Sequence, residues 1–403
     1  MIPAESAPRI PMKNTPRILI VDDEPFNVDY LEQELEDLHY EIITAFNGQE
    51  ALEKIQTGNP DLILLDIMMP VMDGYAVLEK VKADEDLRNI PIIIISANND
   101  LQSVVKGIEM GAEDYLPKPF EPAILQARIS SSLERKYLRD LEQMHLKSLQ
   151  REMDIARRIQ KEFLPAEIPT LPGWQVAAYF KAANNVAGDF YDVFTLPDGN
   201  LVFVIGDVCG KGIGAALFMT LYRSLIRATA TSNDLTDPSS QISLPPEERL
   251  KHAAAFTNLY VTTTHADTFT FATTFMGLFD VNTGMLYYIN AGNEPPHLRR
   301  GDGTHETLMP TGPALGVFSD AKFTVRQIQM GQGDTLTAFT DGIPDGKNPR
   351  DEFFGHDRLN HLLAQDHPTL EDCLNQIGDH LLAFMEDGEQ FDDITMLAVR
   401  RVG

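Results

Sequence analysis

The sequence predicts a doubly wound α/β sheet, then a long helix, then an α+β sandwich. Three observations predict this. From residue 17 to about residue 120, continuous apolar runs of strand length alternate with amphipathic helical stretches. From Ile129 to Phe163 there is neither Gly nor Pro. Beyond residue 174, β-like runs follow one another with only a few helices between them.

In the first part, strands are expected at Arg17–Val21, Ile42–Ala45, Leu62–Leu65, Ile92–Ser96 and Tyr115–Leu116. Helices are expected at Asn27–Leu38, Gly48–Gln56, Tyr75–Lys82 and Leu101–Met110, with another beginning near Pro122. Fully apolar strands imply a parallel sheet covered on both faces. The preceding residues 1–15 are Pro-rich and expected to be a disordered tail.

The Gly- and Pro-free stretch places Leu133, Tyr137, Leu141 and Met144 on one seam. Leu146, Leu149, Met153, Ala156 and Phe163 continue it after a phase shift near residue 145, with polar Gln160 in the second seam. Such a helix is either a parallel dimeric coiled coil or a helix packed on its own domains; the dimer is favoured. Residues 165–172 (PAEIPTLP) punctuate its end.

Strands are then expected at Gln175–Phe180, Asp192–Leu196, Leu201–Gly206, Thr273–Asp280, Met285–Asn290, Thr335–Thr340 and Ile394–Arg400. Helices are expected at Gly214–Thr229, Pro246–Thr257, Asp357–Leu363 and Leu370–Phe384, and a turn-rich loop at Ser232–Pro246. The resulting division is a tail (1–15), an α/β domain (16–133), a helical linker (134–165) and an α+β domain (166–403).

Composition narrows the function classes. A chain of 403 residues holds two to three domains, and 43% hydrophobic with 23% charged residues is a globular balance. The net charge of −27 argues against nucleic acid and anionic membrane as partners. No apolar run approaches the roughly 20 residues of a membrane span. The first residues lack a basic stretch followed by an apolar one, so no secretory signal is expected. Two cysteines, Cys209 and Cys373, make neither a disulfide framework nor a Cys-based zinc site, which fits a cytoplasmic protein. Cys209 is expected to be a small buried hydrophobe.

Two groups of carboxylates stand out. Asp22 and Asp23 follow the first strand, Asp66 ends the third, Ser96 ends the fourth and Lys118 follows the fifth. With strand order 2-1-3-4-5 these ends converge on one rim. Clustered carboxylates repel unless a cation sits among them, and Mg²⁺ with retained water suits such oxygen ligands. An Asp beside Mg²⁺ and a lysine is a nucleophile suited to a phosphoryl group. The motifs ILIVDDEP (18–25), LLDIMMPVMDG (64–74), IIIISA (92–97) and GAEDYLPKPF (111–120) resemble a response-regulator receiver domain of the CheY-like, flavodoxin-like fold. The resemblance implies that Asp66 is the phosphoacceptor, and that Asp22, Asp23 and Asp66 hold Mg²⁺ with the backbone carbonyl of Met68. It makes Ser96 and Tyr115 the switch residues and Lys118 the phosphate-binding lysine. A sensor histidine kinase or a phosphotransfer protein is the implied phosphodonor.

The second group comprises VAGDFYD (186–192), IGDVCGKG (205–212), FTDG (339–342) and FDDIT (391–395). Four acidic clusters from distant sequence suggest a dinuclear Mg²⁺ or Mn²⁺ centre that activates water toward a phosphate ester. With REMDIARRIQKEFLP (151–165), TFATTFMGLFD (270–280), NAGNEPPHL (290–298) and TGPALGVF (311–318), these resemble the SpoIIE/RsbU branch of the metal-dependent, PPM-type (protein phosphatase 2C-like) serine/threonine phosphatases. By that resemblance Asp189, Asp207, Asp341 and Asp392 are ligands of two Mn²⁺ or Mg²⁺ ions, with the backbone carbonyl of Val208 and, less firmly matched, Asp393. Ala187 stands where Gly is usual, Asn293 and Glu294 stand where His-Asn is usual, and no phosphate-binding arginine is found near the domain's start.

The implied whole is a response regulator whose receiver, phosphorylated on Asp66, controls a phosphatase. The resemblance points to a phosphorylated STAS-type anti-sigma-factor antagonist or similar phosphoprotein as substrate, and to a homodimer formed through the linker helix. The alternatives weighed are a non-catalytic adaptor that binds a sigma factor or its regulator, and a phosphatase of small molecules.

Overall fold

A computed structural model describes residues 15–36, 38–97, 101–232, 244–386, 388 and 390–402. Nearly all of the expected tail and most of the expected turn-rich loop lie outside the described residues. The chain divides into two compact units, Met1–Leu149 and Gln150–Gly403.

The first unit is built on β1 (Arg17–Val21), β2 (Glu41–Ala45), β3 (Leu62–Leu65), β4 (Ile92–Ser96) and β5 (Asp114–Pro117). These strands form one parallel sheet in the order β2-β1-β3-β4-β5, as expected. Every residue of β3 and β4 is buried, which is why those strands carry no alternating pattern. Helices α1 (Pro25–Glu36), α2 (Gly48–Gly58), α3 (Gly74–Ala83) and α4 (Leu101–Glu109) connect them. One face of the sheet packs on α2 and α3 through Ile63, Leu65, Ala51, Ile55, Val77 and Val81. The other packs on α1 and on Leu125, Ile129 and Leu133 of the fifth helix. Caps set helix starts: Asn47 accepts from the Glu50 N–H, and Asp73 accepts from the Ala76 N–H.

That fifth helix, α5, is a single run of 42 residues, Pro122–Phe163. At ~1.5 Å per residue it is on the order of 60 Å long. The helix expected to begin near Pro122 and the expected linker are therefore one element, and the position where the two units divide falls inside it. Proline fits its first position, where the N–H has no helical partner. Leu138, Leu141, Met144, Leu146 and Leu149 are exposed, as are Ile155 and Ile159.

The second unit is a two-sheet sandwich of antiparallel strands, the expected α+β architecture. One sheet has the order β13-β10-β9-β8-β7, with β7 (Phe190–Thr195), β8 (Leu201–Val208), β9 (Ala272–Asp280), β10 (Met285–Ala291) and β13 (Arg326–Gln329). The other runs β12-β11-β14-β15-β6, with β6 (Trp174–Lys181), β11 (His297–Arg299), β12 (His305–Thr307), β14 (Thr335–Phe339) and β15 (Ile394–Arg401). Phe203, Phe275, Phe279, Leu286, Leu336, Leu397 and Val399 fill the space between the sheets. Helices α6 (Ile213–Thr231) and α7 (Pro246–Thr264) cover the first sheet, and α8 (Gly355–Leu363) and α9 (Leu370–Met385) the second.

Three short strands, β11 to β13, were absent from the expected pattern, because three or four residues cannot show a period. Helix α7 runs seven residues past its expected end at Thr257. Its last turns are threonine-rich, and the Thr262 and Thr263 hydroxyls donate to the carbonyls of Asn258 and Leu259 one turn back. No helix among the described residues is long and apolar enough to cross a membrane.

Two candidate carboxylate sites

At the carboxyl end of the parallel sheet the structure brings Asp22, Asp66 and Lys118 together. Lys118 Nζ donates to Asp22 Oδ2 at 2.6 Å and to Asp66 Oδ1 at 3.0 Å. Both carboxylates are buried, at 2% and 6% exposure. Asp66 Oδ2 accepts from the Met68 backbone N–H at 2.9 Å, and Asp22 Oδ1 accepts from the Glu24 N–H and from Asn27 Nδ2. Asn27 was not foreseen; its signal is the short polar side chain one turn after the double aspartate.

Asp66 sits above the ordinary carboxylate range. Burial raises it, and the nearby Asp22 adds to this, against the lowering effect of Lys118. Burial opposes the charge on Lys118, but its two carboxylate partners outweigh that and hold its ammonium firmly protonated. Ser96 is buried at the end of β4, where its carbonyl accepts from the Lys118 N–H. Tyr115 is buried in β5, paired with Ile94 of β4. Asp23 stands partly exposed next to Asp22. A Cβ on Gly74 would lie 2.3 Å from the Asp66 carbonyl oxygen, so the turn behind the candidate phosphoacceptor admits only glycine.

The second site lies where four loops of the sandwich meet. Asp189, just before β7, is 1% exposed; its Oδ2 accepts from the Thr340 hydroxyl at 2.7 Å and from the Thr395 hydroxyl. Asp207 lies near the end of β8, Asp341 follows β14, and Asp392 and Asp393 precede β15. Asp393 binds backbone with both oxygens: Oδ1 accepts from the Ala183 N–H at 2.8 Å, Oδ2 from the Gly188 N–H at 2.8 Å and the Asp189 N–H at 3.3 Å. In this arrangement Asp393 shapes the 183–189 loop that presents Asp189. The Val208 carbonyl oxygen would lie 3.0 Å from a Cβ on Gly188. A Cβ on Gly342 would meet the Asp393 carbonyl oxygen at 1.9 Å. Glycine after Asp341 is therefore what lets the two acidic loops touch.

Burial and mutual repulsion lift these carboxyls. Asp207 is pushed up to about 7 by burial, then by Asp341, Asp392 and Asp393. Asp341 is pushed up to about 6 by burial, then by Asp392, Asp345 and Glu294. Asp189 is raised well above its ordinary range by burial and the charge of Asp207.

As the side chains stand, no three His, Cys, Asp or Glu groups among the described residues are arranged to hold one ion. The donor set nevertheless fits divalent metals. Mg²⁺ commonly binds through one or two carboxylates and keeps several waters, so two ions sharing these aspartates need no three-carboxylate cage. Hard oxygen donors whose protonation is raised by like charge are what such ions relieve. The donors would be Asp189, Asp207, Asp341 and Asp392, with the Val208 carbonyl.

Two sets of contacts at this site go beyond what the residue pattern predicts. Gln160, in the last turn of α5, is buried; its Nε2 donates to the Ala187 carbonyl at 2.7 Å and its Oε1 accepts from the Ala187 N–H at 2.9 Å. The polar residue in an apolar seam was the signal. The Thr340 and Thr395 hydroxyls belong to the acidic motifs FTDG and FDDIT, and only folding shows that both serve Asp189. Cys209 is half-buried rather than buried, its Sγ accepting from the Phe271 N–H at 3.3 Å.

Residues 197–402, just over half of the chain, match the family described as Stage II sporulation protein E (SpoIIE). The chain belongs to the SpoIIE family. Residues 18–130 match the response regulator receiver domain.

Among curated proteins, Protein IcfG of Synechocystis sp. is 39% identical over 262 residues, covering 62% of this chain and 41% of that protein. The "Probable transcriptional regulator ycf27" of Cyanidium caldarium is 46% identical over 123 residues, covering 30% of this chain and 48% of that protein. The chain thus spans about half the length, or less, of the curated relatives it matches. Among solved structures, the SiaA-PP2C domain of Pseudomonas aeruginosa matches with TM-score 0.53 at 22% identity, covering 64% of this chain and 98% of that one. That SpoIIE-family unit therefore has the protein phosphatase 2C fold.

Proposed function

We propose that this chain is a response regulator whose receiver domain (16–133), phosphorylated on Asp66, controls a metal-dependent protein serine/threonine phosphatase domain (166–403) through the helical linker (134–165). The observation that carries the reading is the pairing of a SpoIIE-family site having five clustered aspartates with a receiver having the Asp22–Lys118–Asp66 arrangement. The retained aspartates favour an enzyme over a non-catalytic adaptor.

In the receiver, Asp66 is the nucleophile toward a phosphohistidine donor on a sensor kinase or phosphotransfer protein. Lys118 already touches Asp66 and would follow the phosphoryl oxygens. Asp22, Asp23, Asp66 and the Met68 carbonyl would hold Mg²⁺. Ser96 and Tyr115 would read the new charge.

In the phosphatase, Asp189, Asp207, Asp341, Asp392 and the Val208 carbonyl would hold two Mn²⁺ or Mg²⁺ ions. Bound there, such ions would supply an activated water and polarise a phosphate ester. The chain's own residues fix that constellation. Thr340 and Thr395 orient Asp189, Asp393 holds the loop behind it, and Gln160 ties that loop to α5. The substrate class is a phosphoserine or phosphothreonine of an STAS-type partner-switching protein. The exposed apolar residues of α5 suit a homodimer seam. The protein acts in the cytoplasm.

The test is turnover of a phosphorylated STAS-domain protein with Mn²⁺, with and without beryllofluoride to mimic phospho-Asp66. A rate that changes with beryllofluoride in the wild type and stays constant in Asp66→Ala supports the reading. Identical rates and oligomeric states throughout sink the receiver control. Retained biological activity in Asp207→Ala/Asp341→Ala returns the adaptor.

A further inference from the structure

The second site has a charge problem that its metals do not finish. Five aspartates converge there, and two divalent ions supply one charge fewer than those aspartates carry when ionised. A phosphate ester arrives as an anion and is repelled by what remains. A protein cation at the rim would resolve this.

Among the described residues, the ion pairs include one between a lysine or arginine and any of these aspartates. It is Lys211, whose Nζ lies 3.9 Å from Asp392 Oδ2. At that separation the carboxylate is a neighbour rather than a hydrogen-bond partner. Nζ instead donates to the Phe391 carbonyl at 2.5 Å and rests over the Phe391 ring, 3.5 Å from its centroid. An ammonium has three donors, so one carbonyl acceptor leaves capacity for phosphoryl oxygens. Lys211 is half-exposed, and the Phe391 ring beside it is exposed too.

Its backbone setting agrees. Lys211 sits in the loop between β8, which carries Asp207 and Val208, and α6. Gly210 and Gly212 flank it, both with positive φ (98° and 74°), and a Cβ built on either meets nothing within 4 Å. The loop therefore presents its lysine with open space on both sides, at the lip of the acidic cluster. In the receiver, Lys118 is also a lysine ammonium beside carboxylates, there in direct hydrogen bonds with Asp22 and Asp66.

We propose that Lys211 binds the phosphoryl group of the phosphoserine or phosphothreonine substrate at the rim of the metal site. Bound there, its ammonium offsets charge on the non-bridging phosphoryl oxygens while Asp392 remains with the metal. It forms and breaks no covalent bond. The inference rests on the phosphatase reading above and adds the residue that recognises the phosphate.

The test compares full-length wild type, Lys211→Met and Lys211→Arg. The readouts are p-nitrophenyl phosphate turnover with Mn²⁺, calorimetric affinity for Mn²⁺, and calorimetric affinity of the Mg²⁺-loaded protein for inorganic phosphate. Lys211→Met is expected to weaken phosphate binding roughly tenfold and to lower kcat/KM roughly 10- to 100-fold. Its Mn²⁺ affinity should stay within about threefold, and Lys211→Arg should recover most of both losses, since charge rather than shape is required. Unchanged phosphate affinity in Lys211→Met overturns the proposal and leaves the phosphatase standing. So does a parallel loss of Mn²⁺ affinity, which would make Lys211 a prop for the Asp392 loop. A wild type that neither binds phosphate nor turns over ester overturns the phosphatase reading, and this inference with it.

Discussion

The two acidic sites solve the same repulsion differently. In the receiver, Lys118 bridges Asp22 and Asp66 at 2.6 and 3.0 Å, so the fold carries its own counter-ion. In the SpoIIE-family unit, Lys211 stays 3.9 Å from Asp392, and burial with mutual repulsion lifts Asp207 to about 7 and Asp341 to about 6. A site with an internal cation can stand folded and wait for a phosphoryl group. A site without one keeps its repulsion unless a bound cation relieves it. On the proposed reading, that difference separates a carboxylate that takes up a phosphoryl group from a centre that would be completed by metal.

The strongest way to break the comparison is to remove a proposed metal ligand. Asp341→Ala should lower Mn²⁺-dependent ester turnover by roughly 10³-fold, since bound ions would supply several kcal/mol of transition-state stabilisation. The Mn²⁺-induced rise in Tm should shrink with it. Retained turnover would show that the cluster is not the catalytic centre.

Asp66→Ala probes the other site. It should abolish phosphorylation by a small phosphodonor, read by a phosphate-affinity gel, and remove any effect of beryllofluoride on rate. Basal turnover should remain within about threefold, because Asp66 belongs to the other carboxylate site.

Lys118→Met should make the first site behave like the second. Two buried carboxylates would lose their partner, at a cost of about 1–3 kcal/mol, below the full penalty for a buried pair because Lys118 is partly exposed. The loss should be greatest at pH above the raised range of Asp66, where its carboxylate is charged. Mg²⁺ should raise the Tm of this variant more than that of the wild type. An equal Mg²⁺ shift in both would refute the counter-ion role.

The smallest effect concerns pH at the second site. Asp207 and Asp341 have raised folded pKa values, so without metal their contribution to stability is full at low pH and is lost as pH rises through about 6 and 7. Metal binding displaces those protons. The Tm gain on adding Mn²⁺ should therefore grow between pH 5.5 and pH 8. A gain that is flat over that range would mean the ions bind elsewhere.

Much of this was legible from residue patterns. The receiver sheet could be read because buried parallel strands such as LILL are continuous apolar runs, and Asp66 sits at the end of one. Boundaries were less legible. Helix α1 begins at Pro25 rather than at Asn27, because a helix can start with proline before its apolar period is visible. The linker's start at residue 134 falls inside α5, since one helix both packs on the sheet through Leu125, Ile129 and Leu133 and continues beyond it.

By itself, then, the sequence determined which residue types face which chemistry: apolar strands, acidic strand ends, a glycine where two backbones must touch. Those are local consequences of side-chain period and backbone freedom. Tertiary structure alone decided the pairings across long separations. Asp393 binds the N–H groups of Gly188 and Asp189, 205 and 204 residues away, and Gln160 reaches Ala187. It also decided that one lysine would lie between two carboxylates while another stops short at a loop's edge. Those distances follow from how sheets stack and loops close, and the local pattern of side chains does not encode them.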